Sequence, residues 1–343
     1  MTSQVPAQRV RSAADGDAPR RPKIVVIGGG TGTFTVLSGL KRYPVDLTAV
    51  VAMSDDGSST GRLRDEYGVL PPGDLRQCLV ALSEADGYMR ELFNFRFDRG
   101  DLKGHSFGNI LISTLEQITG SIDQALVHAA DILKIRGAVV PVTLDNVRLV
   151  TELVNGKRLE GEHELDDYQL ISKFGIKRMT LTPTARANKR ALAAIKEADL
   201  VIIGPGSLYT SLVPNLLVRG IPRALAKTSA HIVFICNLMN KHGQTDDFTL
   251  PDYVRTLEAV AGFRIFDTML YNTKRPPARL LKKYMDEGEP IARGLHSALA
   301  GRAVVGRDLL ADAITPRKAG DRVVRTLIRH DPDKLAKAIM ELI

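Results

Sequence analysis

Two glycine-rich segments of this sequence are suited to binding an anion. Gly28–Gly32 follows the apolar run Ile24–Ile27, and Gly204–Ser207 follows the apolar run Asp199–Ile203; each precedes a helical pattern. Glycine lets a ligand approach the backbone closely, and a helix N-terminus offers free N–H groups and a positive dipole end. The pattern predicts two phosphate-binding loops, with plain strand-to-helix turns as the alternative. The candidate residues are Gly29, Gly30, Thr31, Gly32, Gly204, Pro205, Gly206 and Ser207.

Three aspartates form a second group of candidates. Asp55 and Asp56 follow a second apolar run, Val45–Met53, where a dinucleotide site places a carboxylate for ribose hydroxyls. The same pair could hold Mg²⁺ through oxygen ligands, or simply cap turns in a polar loop. Asp74 follows two prolines and a glycine, which predicts an N-cap for the next helix. Asp74 is also a candidate for ligand binding.

Four further residues are weaker candidates. His105 and Asn109 are four apart at a predicted helix start, so they could contact a phosphate or base together, or be a cap and a buried amide. Asn237 ends an apolar strand and could bind a base or sugar, or form a turn. Arg329 could bind a phosphate, or pair with a surface carboxylate. No nucleophile–His–Asp set and no histidine cluster for a metal is visible in the sequence.

Alternating strand and helix patterns position these residues. A strand, a helix and a strand follow one another from residue 24 to residue 53, which predicts a parallel, right-handed βαβ unit. Residues 146–182 contain an alternating run and the turn Asn155-Gly156, which predict an antiparallel insert. Helical and strand patterns then alternate again, ending in a predicted strand over 322–328 and a helix from Pro332. We predict a disordered arm over 1–21 and a single α/β domain over 22–343.

Composition narrows the class of protein. Hydrophobic residues make up 44% of the 343 residues, and the apolar runs are far too short to span a bilayer. Two cysteines and no secretory pattern predict a cytoplasmic protein. The net charge is +8, but no nucleic-acid-binding motif occurs, tryptophan is absent and aromatic residues are 5%, so we expect no nucleic-acid partner. A homodimer is the default oligomer.

Seven motifs occur together in this sequence: Ile27–Gly32, Asp55–Gly57, Gly61–Arg64, Leu70–Asp74, Gly104–Asn109, Gly204–Ser211 and Asn237–Met239. Their combination resembles the bacterial gluconeogenesis factor family (YvcK-like), within the 2-phospho-L-lactate transferase-like (CofD-like) group. The resemblance covers about residues 22–343. One departure is Ser58, where the family usually has a second glycine and the backbone can approach a ligand more closely.

The resemblance implies a Rossmann-like three-layer α/β/α fold with a mainly parallel sheet, and a cytoplasmic regulatory protein. It implies UDP-sugar binding and a role in cell shape during growth on gluconeogenic carbon sources. The alternative is an enzyme that moves a phospholactyl unit from a nucleotide-linked donor to a deazaflavin, with Mg²⁺; Asp55 and Asp56 would then hold the metal and act in catalysis. An NAD(P)-dependent dehydrogenase is a third alternative that we rank low, because Thr33 interrupts the glycine fingerprint.

Overall fold

A computed structural model describes residues 20–168, 171–284, 299, 301–312 and 328–343. Seven parallel strands form the main sheet, in the order β10-β9-β8-β7-β1-β2-β3. The strands of this sheet are β1 (Lys23–Gly28), β2 (Asp46–Val51), β3 (Ala138–Pro141), β7 (Leu200–Ile203), β8 (His231–Ile235), β9 (Thr268–Asn272) and β10 (Ala303–Arg307). The predicted α/β fold with a mainly parallel sheet is therefore confirmed.

Fourteen α-helices and one π-helical turn, Leu208–Leu212, accompany the strands in the described part of the chain. The helices are α1 (Gly30–Leu40), α2 (Ser58–Tyr67), α3 (Gly73–Leu82), α4 (Gly87–Asn94), α5 (Phe107–Thr119), α6 (Ile122–Leu133), α7 (Gly161–Asp167), α8 (Ile171–Phe174), α9 (Lys189–Glu197), α10 (Val213–Leu217), α11 (Ile221–Lys227), α12 (Leu250–Ala261), α13 (Ala278–Tyr284) and α14 (Pro332–Met340). None of these helices is long and apolar enough to cross a bilayer.

The predicted antiparallel insert is confirmed. A three-stranded sheet of order β5-β4-β6 contains β4 (Arg148–Leu153), β5 (Arg158–Glu160) and β6 (Ile176–Thr182). The Asn155-Gly156 turn joins β4 to β5 as a hairpin, as its sequence predicts. The short helices α7 and α8 lie between β5 and β6 in the chain, so the insert carries helical residues as well as strands.

The sheet order explains why the two glycine loops can act together. β1 pairs with β2 on one side and with β7 on the other. The strand order therefore runs from β1 towards β3 on one side and from β1 towards β10 on the other, and it reverses at β1. Ligands of open α/β sheets bind at such a switch point, beyond the carboxyl ends of the strands. Val26 and Ile202, on the two paired strands, are completely buried, which fits parallel strands covered on both faces.

Several sequence predictions need correction. β3 and β10 were not predicted. Asp74 is not an N-cap: α3 begins at Gly73, so Asp74 lies in its first turn. α5 begins at Phe107 with Ser106 as its N-cap, so His105 precedes the helix. The predicted arm lies almost entirely outside the described residues, as does the strand predicted over 322–328. The assignment of 22–343 to one domain stays a prediction.

Candidate functional site

The two glycine loops lie against each other at the carboxyl edge of the sheet. A β-carbon added to Gly32 would stand 2.0 Å from the carbonyl oxygen of Pro205, so only glycine permits this contact. Gly30 and Gly204 have φ angles of +63° and +83°, which also favour glycine. The contact places the N-terminus of α1 beside the Pro205-Gly206-Ser207 backbone that leads into the π-helical turn.

Asn237 fixes the second loop by pairing with the backbone of Gly206. Its side-chain oxygen accepts a hydrogen bond from the Gly206 N–H at 3.1 Å, and its Nδ2 donates to the Gly206 carbonyl at 2.9 Å. Both polar groups of the amide are thus used by the protein. The structure assigns Asn237 to positioning of the loop, in addition to any ligand contact predicted from the sequence.

Asp74 lies at the N-terminus of α1. The helix begins at Gly30 without a side-chain cap of its own, and its first turn contains no acidic residue. A β-carbon on Gly29 would stand 2.2 Å from an Asp74 carboxylate oxygen, and the Gly30 N–H hydrogen bonds to Asp74. A carboxylate from α3 therefore occupies part of the anion-binding surface that the sequence predicts.

The charge of Asp55 influences the ionisation of Asp74. Burial and then the nearby charge of Asp55 raise the pKa of Asp74 to about 7, although a hydrogen bond from the Gly30 N–H opposes this shift. Burial also raises the pKa of Asp55, although hydrogen bonds from the Gly57 N–H and from Thr60 oppose this shift. Two partly buried carboxyl groups thus lie near each other, with Asp74 at the N-terminus of α1 and Asp55 at the start of α3, and near neutral pH they can hold a proton.

The side chain of Asp56 makes different contacts from the side chain of Asp55. Its Oδ1 accepts a hydrogen bond from the His163 N–H at 2.9 Å, and its Oδ2 lies 3.7 Å from a nitrogen of Arg148. Gly161 packs so closely that a β-carbon there would stand 1.9 Å from Asp56 Oδ2. Asp56 therefore attaches the antiparallel insert to the site, whereas Asp55 makes different contacts; ligand or metal binding by the two aspartates stays a prediction.

The insert contributes an acidic residue that the sequence analysis missed. Glu162 in α7 follows Gly161, and a hydrogen bond links it to Thr210 in the π-helical turn. Burial raises the pKa of Glu162 well above its usual range, and the charges of Asp55 and Asp74 add to the shift. No local pattern distinguishes Glu162 from the neighbouring acidic residues, because its position depends on docking of the insert.

The loop that follows β8 also holds α7 in place. Lys241 Nζ lies 2.6 Å from Asp166 Oδ1, and Gln244 Nε2 donates to the Leu165 carbonyl at 3.2 Å. Lys241 and Gln244 belong to the loop that follows β8. α7 thus contacts both the loop after β2 and the loop after β8. Its residue Glu162 also contacts Thr210, which follows β7.

His105 and Asn109 lie in a buried hydrogen-bond network. His105 Nδ1 is 3.2 Å from the Ser59 hydroxyl, and Asn109 Nδ2 donates to the same hydroxyl at 3.2 Å. Arg76 Nε donates to Asn109 Oδ1 at 2.9 Å. Burial, and then the charge of Arg62, lower the pKa of His105. The network supports the first turn of α2 behind Asp55; ligand contact by either residue remains a prediction.

Arg64, the last residue of the motif Gly61–Arg64, positions the loop that contains Asp55. It is 4% exposed, and its guanidinium donates to the Asp55 carbonyl at 2.9 Å and to the Val147 carbonyl at 2.7 Å. A buried cation therefore ties the aspartate loop to the start of the insert.

Arg329 lies in the segment that leads to α14. The Ala311 N–H donates to its carbonyl at 2.9 Å, and the adjacent His330 lies against the Cys236 carbonyl at the end of β8. Burial lowers the pKa of His330 to about 4. This segment thus reaches the carboxyl edge of the sheet, and phosphate binding by Arg329 stays a prediction.

The donor set allows a limited test for Mg²⁺. Asp55 and Asp74 provide two neighbouring carboxyl groups, and Mg²⁺ is commonly held by one or two carboxylates together with water and substrate phosphates. Among the described residues, no three His, Cys, Asp or Glu side chains converge as metal ligands. The chain therefore fits a metal that shares its coordination with a ligand rather than a closed protein site.

A separate depression lies at the opposite end of the sheet. Its volume is 440 Å³, and it is lined by residues around the starts of β8 and β9, among them His231, Arg264 and Asp267. These residues lie at the amino ends of the strands, whereas the glycine loops follow the carboxyl ends. The depression is therefore distinct from the candidate site.

An open parallel sheet with glycine loops meeting at its switch point defines an α/β protein of the Rossmann-like class. The family model of the 2-phospho-L-lactate transferase CofD matches residues 24–305, so the chain belongs to the CofD family. The gluconeogenesis factor of Bacillus subtilis is 38% identical over 94% of this chain and 99% of its own length. The gluconeogenesis factor of Halalkalibacterium halodurans is 37% identical over 94% and 97%, respectively.

A solved structure agrees with this membership. The crystal structure of a UPF0052 family protein from Bacillus halodurans superposes with a TM-score of 0.86 at 35% identity, covering 94% of this chain and 100% of that one. The resemblance expected from the sequence motifs is therefore confirmed at the level of family and fold.

Proposed function

We propose that this chain is a cytoplasmic regulatory protein that binds a nucleotide sugar such as UDP-N-acetylglucosamine at the carboxyl edge of the sheet. The observation that carries the proposal is the contact between Gly32 and Pro205, because it joins two loops of backbone amides into one surface. Two helix starts in contact can hold both phosphates of a diphosphate. The relatives named gluconeogenesis factor support a role in gluconeogenic growth. The role in cell shape is proposed from the family resemblance of the sequence motifs.

The acidic side of the site supports a ligand that carries hydroxyl groups as well as phosphate. The charge of Asp55 raises the pKa of Asp74, and the charges of both aspartates raise the pKa of Glu162, so the three side chains lie near one another. Carboxyl groups accept hydrogen bonds from hydroxyls, whereas ionised carboxylates repel phosphate. A nucleotide sugar has a diphosphate for the amide surface and sugar hydroxyls for the carboxyl groups.

Calorimetric titration tests this proposal. UDP-N-acetylglucosamine is compared with UDP and with free N-acetylglucosamine, up to a ligand concentration of about 1 mM. We expect the nucleotide sugar to bind more tightly than either part, and Gly32→Ala to abolish the heat. If none of the three ligands gives heat or raises the melting temperature, the proposed function is wrong.

The second candidate function is transfer of a phosphorylated group from a nucleotide-linked donor, with Mg²⁺. The proximity of Asp55 and Asp74 favours it, because these residues would hold the metal. A metal bound there would neutralise charge on the diphosphate as the donor bond breaks. Asp55→Asn should then abolish Mg²⁺-dependent product formation with a deazaflavin acceptor and leave the circular dichroism spectrum unchanged. Absence of product with the unmodified chain would exclude this reaction.

A further inference from the structure

One surface of the molecule, formed by α9, α11 and the segments that precede them, is strongly basic. We call it the basic face and define it by six side chains, all of them exposed. Residues 183–230 contain seven of the chain's lysines and arginines but only two acidic residues, Glu197 and Asp199. The side chains of the basic face are Arg186, Lys189, Lys196, Arg219, Arg223 and Lys227.

The backbone groups these six side chains into three pairs, two of which lie on helices that pack together. Arg186 and Arg219 are partners in a parallel β-bridge, so their side chains leave the same side of the backbone. Lys189 and Lys196 are seven residues apart in α9, and Arg223 and Lys227 are four apart in α11, so each pair shares one helix face. α9 packs directly against α11.

The six cations of the basic face lack carboxylate partners among the described residues. Arg190, the seventh cation of this region, pairs with Asp123. Glu197 and Asp199 are already engaged, since Glu197 pairs with Lys23 and Asp199 with Arg20. Like charges four residues apart slightly destabilise a helix, so an external anion would relieve the repulsion between Arg223 and Lys227.

We propose that the basic face binds a membrane surface rich in anionic phospholipid headgroups. Clusters of roughly four to eight lysines and arginines on helices are typical of proteins that bind such surfaces. Four of the six cations lie on two helices packed side by side, which suits a flat partner better than the groove of a duplex. Tyr209, the single aromatic residue of 183–230, is buried, so the face offers no side chain for base stacking. No large apolar side chain of this stretch is exposed, so binding is electrostatic and without insertion.

Co-sedimentation of the full chain with lipid vesicles tests the proposal. Vesicles of phosphatidylglycerol and phosphatidylcholine are compared with vesicles of phosphatidylcholine alone. We expect binding to the anionic vesicles only, and a loss of at least about tenfold in affinity when the salt concentration rises from about 0.05 M to 0.3 M. The double variant Lys189→Glu/Arg223→Glu should weaken vesicle binding about tenfold or more.

The matched control is Arg99→Glu/Lys103→Glu, which changes the net charge equally at two exposed cations of another loop. This control should retain vesicle binding, and both variants should keep the melting temperature within a few degrees. Three results would overturn the proposal: no binding to anionic vesicles at low salt, an equal loss in the control variant, or binding to duplex DNA in preference to vesicles.

Discussion

Asp74 lies across the first turn of α1, so close to Gly29 that a β-carbon there would stand 2.2 Å from its carboxylate oxygen. The helix that should attract a phosphate therefore begins against a carboxyl group supplied by α3. A bound phosphate needs the same N–H groups. An ionised Asp74 thus competes with the ligand, whereas a protonated Asp74 can donate a hydrogen bond to it.

This relationship predicts that ligand binding depends on pH. The pKa of Asp74 is raised to about 7, chiefly by burial and then by the charge of Asp55. The carboxyl group is therefore mostly neutral below about pH 6 and mostly ionised above about pH 8. We expect the affinity for UDP-N-acetylglucosamine to fall about tenfold over this interval, measured by calorimetry. Asp74→Asn should remove this dependence and bind more tightly than the unmodified chain at pH 8.

The control for this experiment is Asp131→Asn, which neutralises an exposed aspartate of α6. It should retain the pH dependence of the unmodified chain. If Asp74→Asn shows the same fall in affinity with pH, another group controls binding.

The same pKa shift predicts an effect on stability. A carboxyl group whose pKa is raised on folding stabilises the folded state while it is protonated. Its contribution is complete below the unfolded pKa of about 4 and is lost as the pH rises through about 7. We therefore compare how much the free energy of unfolding falls between pH 5 and pH 8 in the unmodified chain and in Asp74→Asn. The fall should be larger in the unmodified chain by on the order of 2 kcal/mol, after allowance for screening. Urea titrations of both proteins at the two pH values measure this difference; equal changes would contradict the assignment.

The contact between the glycine loops predicts a large effect of one methyl group. In Gly32→Ala the new β-carbon would lie 2.0 Å from the Pro205 carbonyl oxygen, so a backbone segment must move. We expect a loss of about 2 kcal/mol or more in free energy of unfolding, together with loss of ligand binding. Gly87→Ala is the matched control, because no atom lies within 4 Å of its added β-carbon. Equal stability of the two variants would show that the loops are not in tight contact.

The strands, helices and glycine loops could be predicted because their signals are local. Val25 and Val201 lie in short apolar runs that end in glycine, which is the pattern of a buried parallel strand entering a turn. That the two loops touch depends on the pairing of β1 with β7, which are about 170 residues apart in the sequence. The local sequence contains no signal for this pairing.

The roles of the acidic residues could not be separated from the sequence for the same reason. Asp55 and Asp56 are adjacent and chemically identical, yet Asp55 lies against Gly73 at the start of α3 and Asp56 binds the backbone of α7. The difference arises from docking of the insert, which also brings Glu162 to the site. Asn237 was predicted as a ligand contact because it ends a strand, but its partner, Gly206, follows a different strand.

Asn237 provides a test of loop positioning. Asn237→Ala removes both hydrogen bonds to Gly206, one of which involves a partly buried backbone amide. We expect the free energy of unfolding to fall by about 1–2 kcal/mol and ligand affinity to fall more than this loss of stability alone explains. Thermal unfolding and calorimetry measure the two effects. Gln117→Ala, which truncates an exposed amide of α5, should change neither; unchanged binding in Asn237→Ala would exclude a positioning role.

Alanine substitutions at two glycines test whether Asp56 holds the insert in place. Gly161 and Gly156 both have positive φ angles, +92° and +85°, so alanine strains the backbone similarly at each position. A β-carbon at Gly161 would stand 1.9 Å from Asp56 Oδ2, whereas no atom lies within 4 Å of one at Gly156. Gly161→Ala should therefore be less stable than Gly156→Ala by about 1 kcal/mol or more, and the His163 amide should exchange hydrogen faster because its bond to Asp56 is lost. Since α7 carries Glu162, this variant should also show altered affinity for the nucleotide sugar, while Gly156→Ala should bind normally. Equal stability and equal amide hydrogen exchange in the two variants would mean that Asp56 does not hold the insert in place. The contact of Lys241 with Asp166 would then position α7 and its residue Glu162 without Asp56.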